Sequence, residues 1–280
     1  MKITCNQQIL SKTLNTVSKA VSTRTTLPVL KGILLEAKED GTLTLTASDL
    51  EISIQKTISV NVEEPGSAVV VSKLFGDIIR KLPNEEILLE QAEDGSILIR
   101  THSSEFTVVS LPVDEFPKIG DQEEEREHLI FDAEIFKDMV KQTSFAASVD
   151  ESKGVLVGVL TEIHPQSVSM VALDGYRLAV STEKMNSGQE NHFIISAKII
   201  NEISKIIAED GDAEEVEIYL GKKKATFRID TTEIVLRLME GEYIKYRDIM
   251  PTQSTTDIVI GRAILQESIE RASLLAREGK

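Results

Sequence analysis

The spacing of hydrophobic residues predicts amphipathic helices separated by runs that alternate with a period of two. Apolar residues recur at intervals of three and four in five segments: 7–20, 73–82, 133–147, 197–207 and 262–277. The alternating runs, typical of half-buried antiparallel strands, are 42–46, 51–55, 96–100 and 233–237. Asp40-Gly41 and Asp94-Gly95 lie between strand-like runs and predict hairpin turns. The predicted fold class is α+β, because the strands do not alternate one by one with helices.

This pattern occurs more than once along the chain. A short apolar strand runs into a helix at Ile9, Ile135 and Ile264, and the segment 30–34 matches 156–160 at the same offset of 126 positions. Segments 48–50 and 73–78 match 173–175 and 198–203 at an offset of 125. A tandem repeat of one α+β domain is therefore predicted.

Two polar segments predict the boundaries between the repeats. Residues 120–128 are rich in Asp and Glu, and residues 250–256 are polar and contain a proline. The predicted organisation is a first domain at 1–119, an acidic linker at 120–128, a second domain at 129–250, and a linker with the start of an incomplete third domain at 251–280. The third repeat contains one predicted strand, 258–260, and one helix, so we expect a longer polypeptide or another chain to cover its apolar face.

Composition limits the possible chemistry. The 280 residues carry a net charge of −15 and include one cysteine, Cys5, which excludes an internal disulfide and a cysteine-based zinc site and is typical of a reducing compartment. No signal peptide and no membrane-spanning apolar run are visible. The five predicted helices carry a net +6, which leaves −21 for the rest of the chain.

The basic residues of the helices lie off the apolar stripes. Lys73 and Lys198 recur at the offset of 125, as do Arg80 and Lys205, and Lys12 lies outside the stripe of the first helix. One interpretation is the ordinary charged outer face of an amphipathic helix. The other is a repeated basic surface that contacts the phosphates of a helical polyanion without reading its sequence.

Known catalytic motifs are missing from the sequence. It has no phosphate loop, no GxGxxG, no GxSxG and no HExxH, and its four histidines show no metal-ligand spacing. Asp and Glu are abundant, so a carboxylate site stays open. The segment Asp174-Gly175-Tyr176-Arg177 lies between two apolar runs and is interpreted either as a hairpin or as the floor of a peptide-binding pocket.

Four segments, in their order and spacing, resemble the beta subunit of bacterial DNA polymerase III, the sliding clamp family: 24–30, 43–51, 110–117 and 174–179. The resemblance implies tandem clamp domains with antiparallel sheets outside and two helices each on an inner surface. It implies a ring-shaped processivity factor, a homodimer closed head to tail, that encircles double-stranded DNA and tethers the replicative polymerase and other replication or repair proteins. It also implies a non-catalytic subunit without cofactor or metal, cytoplasmic and nucleoid-associated.

The resemblance also assigns roles to residues of this chain. It makes Arg24, Lys73 and Lys198 DNA contacts, and it places Lys153 in a loop that carries DNA-contacting aromatic residues in some relatives. With Lys12, Arg80 and Lys205, which come from the helix pattern, these form the predicted DNA-binding set. The pocket for short apolar peptide motifs of the polymerase and clamp loader is formed by Leu156, Leu173, Gly175, Tyr176, Arg177, Leu178, Ile244 and Ile249. The dimer interface is formed by Phe106, Val108, Leu274 and Leu275. Leu173, Ile244 and Asp248 depart from residues common in the family, so we expect a pocket that is more apolar at one end.

Family members are longer than this chain, so we expect that the 280 residues alone do not close into a ring. Two rival interpretations remain from the sequence. One is a scaffold whose basic helices bind an acidic protein partner, and the other is a metal-dependent nuclease with an unrecognised carboxylate site.

Overall fold

A computed structural model describes residues 1–22, 24–119, 127–188, 190–211 and 213–278. The chain forms two compact units, Met1–Tyr243 and Ile244–Lys280. The predicted acidic linker lies mostly outside the described residues, and its last two positions belong to a strand that begins at Glu127. Within the described ranges, no helix is long and apolar enough to cross a bilayer.

The first unit consists of two halves that share one order of elements, except that the first half has two additional short strands, β5 and β10. The elements of the first half are β1 (Lys2–Asn6), α1 (Gln7–Val17), β2 (Gly32–Ala37), β3 (Thr42–Ser48), β4 (Ile52–Ser59), β5 (Asn61–Glu64), β6 (Gly66–Val71), α2 (Ser72–Lys81), β7 (Glu86–Gln91), β8 (Ile97–Arg100), β9 (Glu105–Val108) and β10 (Ser110–Leu111). Those of the second half are β11 (Glu127–Asp132), α3 (Ala133–Thr143), β12 (Gly158–His164), β13 (Ser167–Leu173), β14 (Leu178–Lys184), β15 (Asn191–Ser196), α4 (Ala197–Asp210), β16 (Glu215–Leu220), β17 (Lys224–Ile229) and β18 (Thr232–Arg237). The tandem α+β repeat predicted from the sequence is therefore present.

The strands form antiparallel sheets that pass from one half to the other. The orders are β5-β1-β7-β8-β9, then β10-β6-β2-β3-β4-β18-β17-β16-β11, and β14-β13-β12-β15. The central sheet crosses between the halves where β4 pairs with β18, with Ile54 opposite Ile234. In the repeat, β9 corresponds to β18 and β14 corresponds to β4. The counterparts of the two junction strands, β14 for β4 and β9 for β18, are both edge strands of their sheets.

The helices pack in pairs against the sheets. α1 lies beside α2 and against β3 and β4, while α3 lies beside α4 and against β13 and β14. The apolar side chains of the helices and the inward-facing side chains of the strands form one core. Phe75 of α2 and Phe136 of α3 are fully buried in it. Just after α1, the hydroxyl oxygen of Ser18 lies 3.2 Å from that of Ser72 on α2. Just after α3, the hydroxyl of Ser144 donates to Asn201 Oδ1 on α4 at 2.9 Å. Each helix pair is therefore linked by a similar side-chain hydrogen bond.

Two glycines 126 positions apart start equivalent strands. A Cβ at Gly32 would lie 2.5 Å from Val69 Cγ1, and one at Gly158 would lie 2.6 Å from Ile194 Cγ2. Both distances are far below van der Waals contact, so a side chain does not fit at either position. This shared close approach shows that the repeat extends to the packing of neighbouring strands.

The second unit contains a short 3-10 turn, Tyr246–Ile249, and α5 (Arg262–Glu278). The strand predicted at 258–260 is wrong: the described residues between 244 and 278 contain no strand. A strand is stabilised by hydrogen bonds to a neighbouring strand, and this segment has none to pair with. Apolar side chains of α5 are exposed, Leu265 at 43% and Leu275 at 80%.

Candidate nucleic-acid and peptide-binding sites

The four helices of the first unit form a connected layer. Besides the pairs α1–α2 and α3–α4, Lys19 Nζ lies 2.5 Å from a carboxylate oxygen of Glu209 at the end of α4. This ion pair joins the helical part of the first half to that of the second. Lys19 therefore serves as a structural contact, which its position in the sequence did not reveal.

Several of the predicted DNA-binding residues are exposed and form no salt bridge among the described residues. They are Lys12 on α1, Lys73 at the start of α2, Lys198 at the start of α4, Lys153 in the turn before β12, and Arg24 in the loop after α1. Unpaired cations on exposed helix faces can approach phosphates without first breaking an ion pair.

Two other predicted DNA-binding residues are paired within their own helices. Arg80 bonds to Asp77, three residues earlier, and Lys205 donates to Glu202 at 2.7 Å. The hydrogen bond with Glu202 raises the pKa of Lys205 above its ordinary value. These exposed pairs hold the cations but reduce the local positive charge.

The net charge of the helices is lower than the sequence predicts. α4 continues to Asp210 and α5 to Glu278, and the helices with the 3-10 turn Ser18–Ala20 then carry +3 instead of +6. The additional acidic residues lie at helix C-termini, where periodicity of apolar residues gives no signal. The basic surface thus consists of individual cations: Lys73 and Lys198 lie at helix starts, and Lys12 lies in the middle of α1.

The segment predicted as a pocket floor is the hairpin between β13 and β14. Asp174 Oδ1 accepts hydrogen bonds from the backbone N–H groups of Tyr176 and Arg177 at 2.9 and 3.1 Å, which closes the turn. The backbone bond from Tyr176, followed by the bonds from Arg177, lowers the pKa of Asp174 below its ordinary value. Asp49 makes the same two contacts in the β3–β4 hairpin, 125 positions earlier. The hairpin and pocket interpretations are therefore compatible, since the hairpin positions the proposed rim.

The hairpin presents one exposed aromatic side chain above apolar residues. Tyr176 is 96% exposed, whereas Leu173 is 2% exposed and pairs with the half-buried Leu178 across the two strands. Arg177 lies over the ring of Phe145 at 5.6 Å and bonds to Asp174. An exposed ring and a positioned guanidinium beside apolar residues have the composition of a peptide anchor site.

Tyr243 is a neighbour of this hairpin that the sequence reasoning did not select. Its hydroxyl lies 3.4 Å from the carbonyl oxygens of Gly158 and Val171 and can donate to either, so it bridges β12 and β13. Burial raises the pKa of Tyr243 to about 12. Leu156, the remaining pocket residue of the first unit, is half-buried in the 3-10 segment before β12. Ile244 and Ile249 belong to the second unit, where they are exposed at 43% and 59%.

The residues predicted at a dimer interface differ in exposure. Phe106 on the edge strand β9 is 43% exposed, and Leu274 on α5 is 65% exposed. Val108 is 5% exposed and packs into the core, so its side chain does not offer a contact surface. β9 is the edge strand of its sheet, so a strand of another chain could pair with its backbone and contact Phe106.

The described residues contain no group of three or more His, Cys, Asp or Glu side chains arranged to hold a metal ion. Two α+β copies joined through one continuous sheet, with a layer of paired helices, are the main features of the first unit.

Comparisons with known proteins identify the family. The model of the DNA polymerase III beta subunit N-terminal domain matches residues 1–120, and that of its central domain matches residues 131–245. The chain is 32% identical to the beta sliding clamp of Bacillus subtilis and 35% identical to that of Halalkalibacterium halodurans, covering all of this chain and 76% of each relative. The crystal structure of the Bacillus subtilis clamp superimposes with a TM-score of 0.94 over 100% of this chain and 75% of that chain.

This chain belongs to the DNA polymerase III beta subunit family. It is a DNA sliding clamp, a processivity factor of replication, and an accessory subunit that is not itself catalytic. DNA and the polymerase are the partners that this class implies.

Proposed function

We propose that the chain forms part of a homodimeric ring that encircles duplex DNA, with its helical layer facing the DNA, and that it binds partner peptides at the β13–β14 hairpin. The DNA contacts are the seven basic residues named above, with the unpaired Lys12, Lys73 and Lys198 making the strongest contributions. The paired Arg80 and Lys205 contribute less, because their carboxylate partners compete with phosphate.

The observation that carries the ring is the junction of β4 with β18. It joins two copies of one domain by continuing a sheet, and the same two edges are repeated at β14 and β9. Repeating one head-to-tail contact with a constant rotation closes a ring. We propose clamp domains at 1–119 and 129–250 and a third beginning after 251, with β9 and Phe106 meeting the third domain of a partner protomer near Leu274 and Leu275.

The partner site proposed at the hairpin accepts short apolar peptide motifs of the polymerase and clamp loader. Tyr176 and Arg177 supply an aromatic contact and a hydrogen-bond donor at the rim. The half-buried Leu178 supplies an apolar contact, and the buried Leu173 supports it from the paired strand. As a replication clamp, the protein would act in the cytoplasm with the nucleoid.

The ring is tested by retention on DNA of different topology. The 280-residue chain is compared with a version extended by the quarter of the Bacillus subtilis clamp that it does not span, each loaded onto nicked circular DNA with a clamp loader. We expect the extended protein to stay on circles and to be released when the circle is cut, and the 280-residue chain to be retained on neither. Equal retention of the extended protein on circular and linear DNA would mean local binding, as in the scaffold interpretation, and DNA cleavage that needs a metal ion would favour the nuclease.

A further inference from the structure

A cavity of about 140 Å³ opens at the junction between the two halves of the first unit. It is lined by the β3–β4 hairpin, by the segment 117–119, and by residues of β17 and β18. In the repeat, this hairpin corresponds to the β13–β14 hairpin, and Pro117 corresponds to Ile244. The cavity thus occupies in the first half the position that the proposed peptide pocket occupies in the second.

The lining of this junction cavity is basic. Lys118, Lys224 and Arg237 line it together with a single carboxylate, that of Glu51. None of the three cations has a salt-bridge partner among the residues that the structure describes. A local excess of positive charge in a chain of net charge −15 marks a site that favours an anionic group.

Two of these cations are held opposite each other on neighbouring strands. Lys224 on β17 pairs directly with Arg237 on β18, and like charges at such positions destabilise a sheet. At the other end of the same hairpin, Arg228 pairs with Glu233, with a separation of 3.0 Å between Nε and the carboxylate. The hairpin therefore carries a complementary pair at one end and a like-charge pair at the other, where Glu51 is the one carboxylate among the cavity-lining residues. An anionic group bound in the cavity would reduce the repulsion between Lys224 and Arg237.

Leu50 adds strain at the same cavity. It has a φ of 76°, in the left-handed region, whereas the matching position in the second half is Gly175 with a φ of 96°. A leucine pays a steric penalty there that glycine avoids. Its side chain is 54% exposed, so packing within this unit does not explain it. An exposed apolar side chain held in a strained backbone beside a basic cavity indicates a ligand with an apolar part.

We propose that the junction cavity is a second peptide site, which takes an acidic side chain together with an adjacent apolar residue of a partner protein. The carboxylate would lie between Lys224 and Arg237, with Lys118 at the rim, and the apolar residue would contact Leu50 and Pro117. The site differs in chemistry from the one at Tyr176, whose neighbours are mostly apolar. It depends on the first unit alone and not on closure of the ring.

The proposal is tested with the blocked peptide acetyl-Leu-Glu-Leu-amide, titrated into the 280-residue chain and followed by amide chemical shifts and calorimetry. We expect shifts at residues 48–53 and 224–237. Lys224→Gln and Arg237→Gln should each weaken binding about tenfold, the loss of one charge-assisted contact. The matched control is Lys223→Gln, which changes the charge equally at the neighbouring residue, already 3.9 Å from Glu240, and should leave the affinity within about twofold.

A second variant separates binding from folding. Leu50→Gly removes the strain, so we expect a higher melting temperature together with weaker peptide binding. If Leu50 had only a structural role, Leu50→Gly would change the melting temperature and leave the peptide affinity unchanged. Acetyl-Leu-Gln-Leu-amide, which lacks the carboxylate, should bind about tenfold more weakly than the acidic peptide.

Several results would overturn the proposal. Inorganic phosphate binding as tightly as the peptide, with no effect of Leu50→Gly, would show a bare anion site. Short duplex DNA losing affinity in Arg237→Gln while the peptide does not bind would assign the cavity to nucleic acid. Binding seen only after Glu123, Glu124 and Glu125 are replaced by glutamine would show that the acidic segment of this chain, and not a partner, is the ligand.

Discussion

Gly158 shows how a single position limits the sequence that this fold accepts. A Cβ there would lie 2.7 Å from Met239 Sδ and 3.0 Å from the carbonyl oxygen of Ile195, as well as close to Ile194. The backbone oxygen cannot move away without disturbing the pairing of β12 with β15. We expect Gly158→Ala to lower the free energy of unfolding by about 1–3 kcal/mol, the cost of overpacking, measured by urea denaturation.

Gly76 provides the matched control for this substitution. It lies within α2, and the nearest atom that a new Cβ would meet is Arg80 Nη1 at 4.0 Å, an ordinary contact. Alanine is favoured over glycine inside a helix, so Gly76→Ala should raise the free energy of unfolding by about 0.5–1 kcal/mol. Equal effects at the two glycines would contradict the packing argument.

Two buried acids predict loss of stability at alkaline pH. Burial raises the pKa of the Cys5 thiol to about 12, and it raises the pKa of Tyr243 to about 12 as well. Both groups ionise in the unfolded chain at a lower pH than in the folded chain, so their contribution is complete below the unfolded pKa and is lost as pH rises toward the folded value. We expect the free energy of unfolding to fall between about pH 9 and 12, by at most about 1.4 kcal/mol per pH unit for each group.

This alkaline effect can be separated into its two sources. Tyr243→Phe should reduce the pH slope above about pH 10, while the slope due to Cys5 remains. Thiol reagents should modify Cys5 only in unfolded molecules, since the neutral thiol is buried. Rapid labelling of folded protein at pH 8 would show that the thiol is accessible and that this assignment is wrong.

At the scale of elements, the β4–β18 junction couples the two halves of the first unit. Ile234 and Ile54 face each other across it, and both are fully buried. We expect Ile234→Ala to lower the free energy of unfolding by about 2–4 kcal/mol, because it leaves a cavity between the halves. β18, which carries Ile234, lies between β4 and β17, and we expect amide hydrogen exchange to increase in both neighbouring strands.

The control for the junction is Ile258→Ala in the second unit. Ile258 is 80% exposed, so the same substitution should change stability by less than about 0.5 kcal/mol. If Ile234→Ala increased exchange only in the second half, the continuous sheet would not transmit stability between the halves.

Elements whose signal is local could be predicted from the sequence. The apolar stripes predicted the helices, and Asp40-Gly41 and Asp94-Gly95 predicted hairpins that the structure has between β2 and β3 and between β7 and β8. The strand at 258–260 failed, since its three apolar residues cannot form a strand without a partner. The pairing of β4 with β18 could not be predicted, because nothing near Ile54 in the sequence identifies a partner so distant along the chain.

The candidate sites show the same division. The exposure of Lys73 and Tyr176 could be predicted from their places off an apolar stripe and in a polar turn. The ion pairs of Lys19 and Lys205, the burial of Val108 and the strain at Leu50 depend on three-dimensional neighbours. The repeat in the sequence was the strongest indication of long-range structure. The structural repeat extends beyond the matched segments, because the ion pairs Arg100–Glu105 and Arg228–Glu233 lie in equivalent hairpins.

At the scale of the whole molecule, net charge and DNA binding have opposite requirements. A chain of net charge −15 repels DNA on average, and binding through a few helix lysines depends on where they are placed. At physiological salt, charges separated by more than about 8 Å are largely screened from each other. We therefore expect the acidic residues outside the helices to weaken DNA binding elsewhere on the chain, while they affect the proposed contacts of the helical layer little.

The salt dependence of DNA binding measures this arrangement directly. If Lys12, Lys73 and Lys198 each contact a phosphate, as we propose, replacing all three by glutamine should make the slope of log affinity against log salt concentration shallower by about 3 units. The matched control replaces Lys38, Lys184 and Lys223, which lie outside the helices and change the net charge equally. Fluorescence anisotropy of a labelled duplex, between about 20 and 200 mM salt, separates the two cases. The two triple variants lose the same charge, so they should differ only if the helix lysines contact phosphates. If both make the slope shallower by the same amount, the net charge of the chain controls binding and the helical layer does not.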